Sequence, residues 1–332
     1  MAVTIEDIKK LRTMTGAGMK DCKKALAEAD GDLDKAVELV RERGLAIAAK
    51  RSDREASNGC VLVDNVNGFA AMIALKCETD FVANGEEFVA LTREILDAAI
   101  AAKAQTLEEV GNLVISDGLT VTEAVTRRSG VVGEKMEIDG YNVLEADNVY
   151  TYDHMGRHTL CTLVQLSEAN EDAGHKVAMQ VAAMKPIALD EASVPQSVKD
   201  DELKVAIEKT KEEQIERQVN VALKKAGINA NLVDSEDHIA SNVTKGWLSQ
   251  EDADKALEIR AKVSVEAAAN LKEQMIQNIA QGRLAKFFKE SCLVDQEFQF
   301  GDGDKQSVSE WLNSQSKGLK VVAFKRFSLS AD

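Results

Sequence analysis

Residues 61–96 read VLVDNVNGFAAMIALKCETDFVANGEEFVALTREIL and combine two apolar runs, a turn and an amphipathic segment. Val61–Val63 and Ala70–Leu75 flank an Asn67-Gly68 pair, a pattern typical of a β-hairpin with a tight turn. After a polar link, the sequence predicts a helix over about Glu86–Ala102, whose apolar stripe consists of Phe88, Leu91, Ile95 and Leu96. Hairpin, link and helix together predict an α+β unit.

The same order of elements recurs further along the chain. Tyr150–Tyr152, a turn at Met155-Gly156 and Thr159–Leu166 predict a second hairpin, and Ser167–Asp172 would be its link. The helix that follows would bury Val177, Val181 and Met184. The chain therefore contains a duplicated α+β unit. The second link has Ser-Glu-Ala-Asn where the first has Glu-Thr-Asp-Phe, so Phe81 is peculiar to the first copy.

The N-terminal segment predicts three short helices. Thr4 would cap a first helix through Arg12, with Ile5, Ile8 and Leu11 on its inner face. A second helix begins at Met19 and would bury Cys22, Ala25 and Leu26. A third runs from Leu33 to Arg43 and is ended by Gly44. These helices predict a compact bundle, with a domain boundary near residue 55.

From Lys199 to about Gly282 the chain is rich in Glu, Lys, Gln and Ala, which favours long helices. Two stretches with weak heptad spacing are separated by Gly227 and the polar residues 229–245, so we predict an antiparallel helical hairpin. Its seam would consist of Leu203, Ile207, Thr210 and Gln214 in the first arm and of Leu257, Ala261, Ser264, Ala268, Leu271 and Met275 in the second.

Beyond the hairpin, Phe298–Phe300 and Val321–Phe324 predict strands that complete the second α+β unit. The predicted fold class is therefore α+β and helix-rich, in four parts. These are an N-terminal domain (1–54), a first core subdomain (55–140), a second core subdomain (141–198 with 283–332) and a coiled-coil hairpin insertion (199–282).

The formal charge of −15 opposes general binding to nucleic acid. We interpret the lysines and arginines through residue 54 as a solvated or docking face, because acidic residues are interspersed among them. The N-terminal MAVTIEDIKK lacks the apolar core of a signal peptide, and no apolar run is long enough to span a membrane. The sequence predicts a cytoplasmic protein without direct nucleic-acid or membrane partners.

The sequence offers no pattern for catalysis or metal binding. The five cysteines are scattered and odd in number, which argues against disulfides and a zinc site. Gly16 and Gly18 follow a helix rather than a strand and lack the third glycine of a dinucleotide motif. The histidines have no metal-ligand spacing; they are His154, His158, His175 and His238. We therefore predict a protein that is not an enzyme and has no cofactor or metal.

Phe81 in the first link has two interpretations. It is either a core residue at the start of the following helix, with Asp80 as the N-cap, or an exposed ring offered to a pocket of a partner protein. In the second case the Asp80 carboxylate would bond to backbone amides of the partner. The residue pattern alone leaves both alternatives open.

Two long motifs resemble those of bacterial elongation factor Ts, the nucleotide exchange factor of elongation factor Tu. The motifs are LRTMTGAGMKDCKKAL at residues 11–26 and ETDFVA at residues 78–83. Shorter segments also fit this family, namely Val132–Glu134, His154 with Arg157, Ala178–Pro186, Gly282–Phe287 and Phe324–Phe327. The resemblance covers nearly the whole chain apart from the helical insertion.

The resemblance implies a ubiquitin-associated-like (UBA-like) three-helix domain, two related core subdomains and a protruding coiled coil. It also implies that the partner is elongation factor Tu, either GDP-bound or nucleotide-free. The segment Thr79, Asp80, Phe81 and Val82 would dock on this partner, dislodge Mg²⁺ and promote the release of GDP. GTP would then displace the factor. Arg12, Met19 and His154 would make further contacts with the partner. We expect a one-to-one complex, with a dimer through the coiled coil as the alternative. The rival hypothesis is an adaptor whose three-helix domain binds some other protein.

Overall fold

The computed structural model describes residues 3–301, 303 and 305–330, and it confirms a helix-rich α+β fold. The strands are β1 (Asn58–Val66), β2 (Phe69–Cys77), β3 (Met136–Glu145), β4 (Val149–Asp153), β5 (Leu160–Leu166) and β6 (Val321–Ser328). The helices are α1 (Ile5–Thr15), α2 (Met19–Glu28), α3 (Leu33–Arg51), α4 (Asp80–Ala83), α5 (Glu86–Ala102), α6 (Leu107–Asn112), α7 (Val121–Val132), α8 (Glu171–Met184), α9 (Gln196–Lys225), α10 (Glu236–Thr244), α11 (Gln250–Ala269), α12 (Glu273–Ser291) and α13 (Val308–Gln315). The chain forms two compact units: one contains the residues up to Leu189 and from Leu293 onward, and the other contains Asp190–Cys292.

The first unit begins with the three predicted helices. Thr4 and Asp7 form a reciprocal capping box at the start of α1, and this helix ends at Thr15, three residues beyond the predicted Arg12, where Gly16 caps it with a φ of 69°. The predicted inner faces of α1 and α2 are confirmed with one exception. Ile5 is 68% exposed, so its placement in the core was wrong; at 3.6 residues per turn its side chain lies about 120° around the helix from that of Leu11.

The third helix continues through Gly44 to Arg51, so its predicted end at Gly44 was wrong. At this point α3 crosses α7, and a Cβ atom added to Gly130 of α7 would lie 2.4 Å from the backbone of Gly44. The glycine pair allows two helix backbones to touch. Gly44 therefore serves helix packing, not helix termination.

The first predicted hairpin is confirmed: β1 pairs with β2 in antiparallel register, and Asn67 and Gly68 at the turn have φ angles of 52° and 82°. β3 completes the sheet in the order β1-β2-β3. Alternate residues of the buried strand β2 enter different cores. Phe69, Ile73 and Leu75 join the cluster that contains Phe88 of α5, whereas Ala70, Met72 and Ala74 meet Val149 and Leu163 of the second sheet.

The second sheet has the order β4-β5-β6, and α8 covers it as α5 covers the first. Val177 and Val181 are buried as predicted, but Met184 is 39% exposed because it is the last residue of α8. The strand predicted at Phe298–Phe300 was wrong. Phe298 instead stacks on Trp311 of α13, with 4.2 Å between ring centroids, so aromatic packing replaces a strand ladder.

The second unit consists of long helices. α9 packs against α11 and α12 in antiparallel fashion, since Glu216 late in α9 pairs with Arg260 of α11 and Lys199 early in α9 lies over the ring of Phe288 late in α12. Thr210 is buried as predicted. The predicted seam of the second arm was wrong, because Leu257 and Met275 are exposed and the buried positions are instead Ala253, Ala256, Ala267, Ile276 and Ala280. α11 ends at Ala269 and α12 starts at Glu273, so a single heptad register cannot run through the arm.

Candidate functional site

The link between β2 and α5 folds into the one-turn helix α4. Thr79 is its N-cap, and the Thr79 Oγ accepts a bond from the Val82 N–H at 3.5 Å, so the expectation that Asp80 caps a helix was wrong. Asn84 closes the turn, because its side-chain amide donates to the Asp80 carbonyl at 2.8 Å.

The turn divides its side chains between the core and solvent. Ala83 is buried and Val82 packs against the core of the first sheet, whereas the ring of Phe81 is 89% exposed, the highest value among the large apolar side chains described. The interpretation of Phe81 as a core residue was therefore wrong. Phe81 is an isolated apolar projection on a turn whose other apolar side chains are packed.

Two glutamates hold the start of this turn. The Glu134 carboxylate accepts from the Thr79 N–H at 3.0 Å and from the Thr79 hydroxyl at 2.7 Å. The Glu78 carboxylate accepts from the Lys135 N–H at 2.7 Å, and Arg51 and Arg54 donate to it at 3.3 and 3.0 Å. The Lys135 bond, followed by the two guanidinium groups, lowers the pKa of Glu78. This ionised carboxylate connects the end of α3 to the corner between α7 and β3.

The other residues implied by the resemblance lie on other elements of the same unit. Arg12 is exposed in the last turn of α1, and Met19, 39% exposed, begins α2. His154 lies in the tight turn between β4 and β5, with its Nδ1 3.2 Å from the Tyr152 hydroxyl. No hydrogen bond, ion pair or ring contact described for residues 3–301, 303 and 305–330 joins these three side chains to Thr79–Val82.

The thiols of the chain are poorly suited to nucleophilic chemistry. All five cysteines are buried and unbridged. Burial raises the pKa of Cys60 to about 11 and that of Cys77 to about 12, and it also raises the pKa of Cys22 and Cys161. A thiolate, which is the nucleophilic form, is therefore scarce at neutral pH.

A cleft of about 330 Å³ lies mainly between α3 and α7, and neither histidine nor cysteine lines it. In the part of the chain that the structure describes, no group of three or more His, Cys, Asp or Glu side chains could hold a metal ion. Within the same residues, no helix is both long enough and apolar enough to cross a bilayer.

Sequence reasoning missed the residues that support the turn. Arg51 and Arg54 were interpreted as part of a solvated or docking face, and Glu78 and Glu134 had no assigned role. Glu134 is 55 positions from Thr79, so no local spacing could have joined them. The available signals were the position of Glu134 directly after Gly133, which ends α7 with a φ of 81°, and the resemblance of Val132–Glu134 to the family.

Known proteins are similar to this chain over its whole length. The family model described as Elongation factor TS matches residues 78–225 and 216–331. The chain is 58% identical over 332 residues to Elongation factor Ts of Parabacteroides distasonis and 59% identical over 332 residues to that of Phocaeicola vulgatus. It is 40% identical over 333 residues to Elongation factor Ts of Porphyromonas gingivalis. In all three comparisons the match covers 100% of both chains.

Proposed function

The chain belongs to the elongation factor Ts family, and from this premise we propose that it is the guanine-nucleotide exchange factor of elongation factor Tu in translation elongation. It would bind the GDP-bound partner, promote GDP release and remain on the nucleotide-free partner until GTP displaces it. No bond of the nucleotide is made or broken, so the chain acts as a binding protein and not as an enzyme.

The observation that carries this proposal is the exposed ring of Phe81 on a turn whose other apolar side chains are packed. An isolated large ring in water has apolar surface to lose to a partner, and a rigid aromatic is a common anchor of protein interfaces. Phe81 would insert between helices of elongation factor Tu. Asp80, exposed beside it, would accept bonds from the N–H groups at a helix end. Thr79 and Val82 would complete the segment that docks on the partner.

Insertion of the ring would shift the partner's helices and disturb its Mg²⁺ and phosphate site. Linkage gives the energetic rule: a factor that binds the nucleotide-free state more tightly than the GDP state weakens GDP binding by the same ratio. The affinity of the partner for GDP is therefore lowered only to the extent that the factor makes better contacts, those of Phe81 and Asp80 among them, after GDP and Mg²⁺ have left.

The finer organisation follows from the same premise. We propose that α1–α3 form a UBA-like domain within residues 1–54 and that Arg12 and Met19 contact the partner from it. The core subdomains would comprise residues 55–140 and residues 141–198 with 283–332, and His154 would approach the phosphate side of the partner from the second. Residues 199–282 would form a coiled coil, through which two copies could pair. The proposed compartment is the cytoplasm.

The experiment that tests this function is release of a fluorescent GDP analogue from purified elongation factor Tu. The unaltered chain should accelerate release. Phe81→Ala should lower the maximal rate about 30- to 150-fold, because burying a Phe side chain contributes about 2–3 kcal/mol.

Val114→Ala is the matched control, since Val114 is a 65% exposed apolar side chain elsewhere in the first unit. It should leave the rate unchanged. Absence of acceleration by the unaltered chain would refute the exchange function and favour the adaptor hypothesis. Full activity of Phe81→Ala would refute the wedge while leaving the exchange function standing.

A further inference from the structure

The turn that carries Phe81 is too short to hold its own shape. α4 has four residues, and an isolated helix of that length is unstable in water because nucleation costs more than its few hydrogen bonds return. The bond between the Thr79 Oγ and the Val82 N–H is long, at 3.5 Å. The orientation of the Phe81 ring must therefore be set from outside the turn.

Two pairs of neighbouring residues, 78–79 and 134–135, supply this restraint through reciprocal hydrogen bonds. The Glu134 carboxylate accepts the backbone N–H of Thr79, and the Glu78 carboxylate accepts the backbone N–H of Lys135. Each pair thus offers one carboxylate and one amide to the other. We call residues 78, 79, 134 and 135 the glutamate clasp. Bonds from donors to ionised carboxylates are among the stronger hydrogen bonds in proteins.

The two glutamates of the clasp have different surroundings. Glu78 is also paired with Arg51 and Arg54, so its removal would leave two cations without their carboxylate. The bonds described for the Glu134 carboxylate go to the N–H and hydroxyl of Thr79 alone. The backbone of Glu134 is independently fixed, because the Ser129 hydroxyl of α7 donates to its carbonyl at 2.5 Å. Removing the Glu134 side chain therefore releases Thr79 and little else.

We propose that Glu134 is a positioning residue for nucleotide exchange: its carboxylate orients Thr79 so that the turn presents Phe81 in the geometry that inserts into the partner. This inference rests on the proposed function and adds a residue to it. Glu134 itself need not touch the partner. Without it, the turn samples other orientations, and the cost of ordering falls on the step in which the ring inserts.

Three variants separate positioning from simple folding. Glu134→Ala removes both acceptors of Thr79. Glu134→Gln keeps one acceptor oxygen at the same place and should restore part of the effect. Glu137→Ala is the matched control, because Glu137 lies three residues further on in β3, is 40% exposed and pairs with Lys135 at 3.0 Å rather than with the turn.

The first measurement uses the chain alone. Hydrogen exchange of a peptide covering residues 79–84 should become about tenfold faster in Glu134→Ala, as expected for loss of a bond to a charged acceptor, and should be unchanged in Glu137→Ala. Thermal unfolding should shift little in both variants. An unchanged rate of hydrogen exchange in Glu134→Ala would overturn the proposal whatever the function of the protein.

The second measurement separates the maximal rate of GDP release from the concentration of factor that gives half of it. Glu134→Ala should lower the maximal rate about tenfold with a small change in the half-saturating concentration, because the rest of the docking surface is intact. In a Phe81→Ala background the same substitution should have almost no further effect, since it acts only through the ring. Additive losses would overturn the positioning role.

The two measurements also distinguish the possible failures. Faster hydrogen exchange together with no GDP release by the unaltered chain would mean that the clasp exists but the proposed function is wrong. If Glu134→Ala showed faster hydrogen exchange in the turn but a normal rate of GDP release, the proposed function would stand and Phe81 would need no preset orientation.

Discussion

The two sheet units of this protein share an order of elements but treat their links differently. Each has a hairpin, a link, a covering helix and, after an intervening segment, a helix that precedes the third strand: α7 before β3 and α13 before β6. The first link forms α4 and exposes Phe81, whereas the second passes directly into α8. The two copies therefore share a scaffold, and only the first link places an exposed aromatic ring on it.

The restraints on the two links explain the difference. In the second link Asn170 caps α8 through the Ala173 N–H at 3.1 Å, and its own N–H donates to the Tyr150 hydroxyl at 2.8 Å. These bonds join neutral groups. The first link is instead held by charged side chains from α3 and from the corner after α7. A link whose backbone is fixed by groups outside the turn can leave its aromatic ring free for a partner.

The strongest test of this comparison is Gly174→Ala in α8. A Cβ atom at Gly174 would lie 2.1 Å from the ring of Tyr150, so the substitution should displace that ring and loosen the second link, lowering the free energy of unfolding by about 3 kcal/mol. Denaturation by urea, followed by the fluorescence of Trp311 in a Trp247→Phe background, measures this change because the chain has two tryptophans.

The control for this variant is Val89→Ala in α5. Val89 lies four residues after the N-cap Gly85, as Gly174 lies four residues after the N-cap Asn170, and it is half-buried. Its truncation should cost about 1 kcal/mol. Equal costs at the two positions would contradict the idea that the second link depends on the ring beside it.

The next test concerns the helices that precede the third strands. α7 touches α3 through Gly130. In contrast, α13 packs through Trp311 and Leu312 into the core beneath the second sheet. Gly130→Ala should force α3 and α7 apart and lower the free energy of unfolding by about 2 kcal/mol. Thermal and urea denaturation measure the loss, and amide protection in α3 should fall with it.

Gly44→Ala provides the matched control on the other side of the same crossing. A Cβ atom there would lie 3.6 Å from the nearest atom, an ordinary contact, so alanine should be tolerated and should stabilise the helix interior by up to about 1 kcal/mol. Destabilisation by Gly44→Ala as large as that by Gly130→Ala would contradict the described packing of the crossing.

The parts of the fold that the sequence predicted are those encoded locally. The Asn67-Gly68 hairpin and the stripe of α5 each depend on residues that are close in the chain, and the structure confirms both. β3 gave no such signal, because its half-buried residues do not alternate cleanly and Gly140 interrupts them. Phe298–Phe300 has a strand-like composition, but the partner of Phe298 is a tryptophan of a later helix.

The candidate site shows the same limit. Residue spacing could not decide whether Phe81 is buried, because its direction depends on how the turn is held, and the holding groups come from residues 51, 54 and 134. Sequence motifs pointed to Thr79–Val82 through resemblance alone. The side chains that hold the start of the turn lie far from it in the sequence, so no local pattern could reveal them.

A smaller effect tests what the two sheet units share. Thr120 of α7 and Ser307 of α13 each form a capping box, with Glu123 and Glu310 as the reciprocal partners. Thr120→Ala and Ser307→Ala should each lower the free energy of unfolding by about 1 kcal/mol, because each removes the acceptor for one helix-terminal N–H. Urea denaturation of the two variants should give similar losses. A cost at only one of the two caps would contradict the equivalence of α7 and α13.

The smallest effect concerns pH and separates the two links by their chemistry. The pKa of Glu78 is lowered by the Lys135 N–H and by Arg54 and Arg51, so the ionised carboxylate stabilises the folded state above the pKa of an unfolded glutamate, and this contribution is lost as the pH falls through the folded pKa. Glu78→Gln should therefore be less stable than the unaltered chain at neutral pH, and the gap should narrow as the pH falls from about 5 to about 3.

Asn170→Ala, which removes the neutral cap of the second link, should lower the stability by an amount that does not change over the same pH range, because no proton is bound or released at that cap. Urea denaturation at a series of pH values measures, for each variant, the gap between its free energy of unfolding and that of the unaltered chain. A constant gap for Glu78→Gln would mean that the first link is held without the charge of Glu78, and the arginines at the end of α3 would then contribute packing alone. A narrowing gap for Glu78→Gln beside a constant one for Asn170→Ala would show that only the first link depends on an ionised anchor.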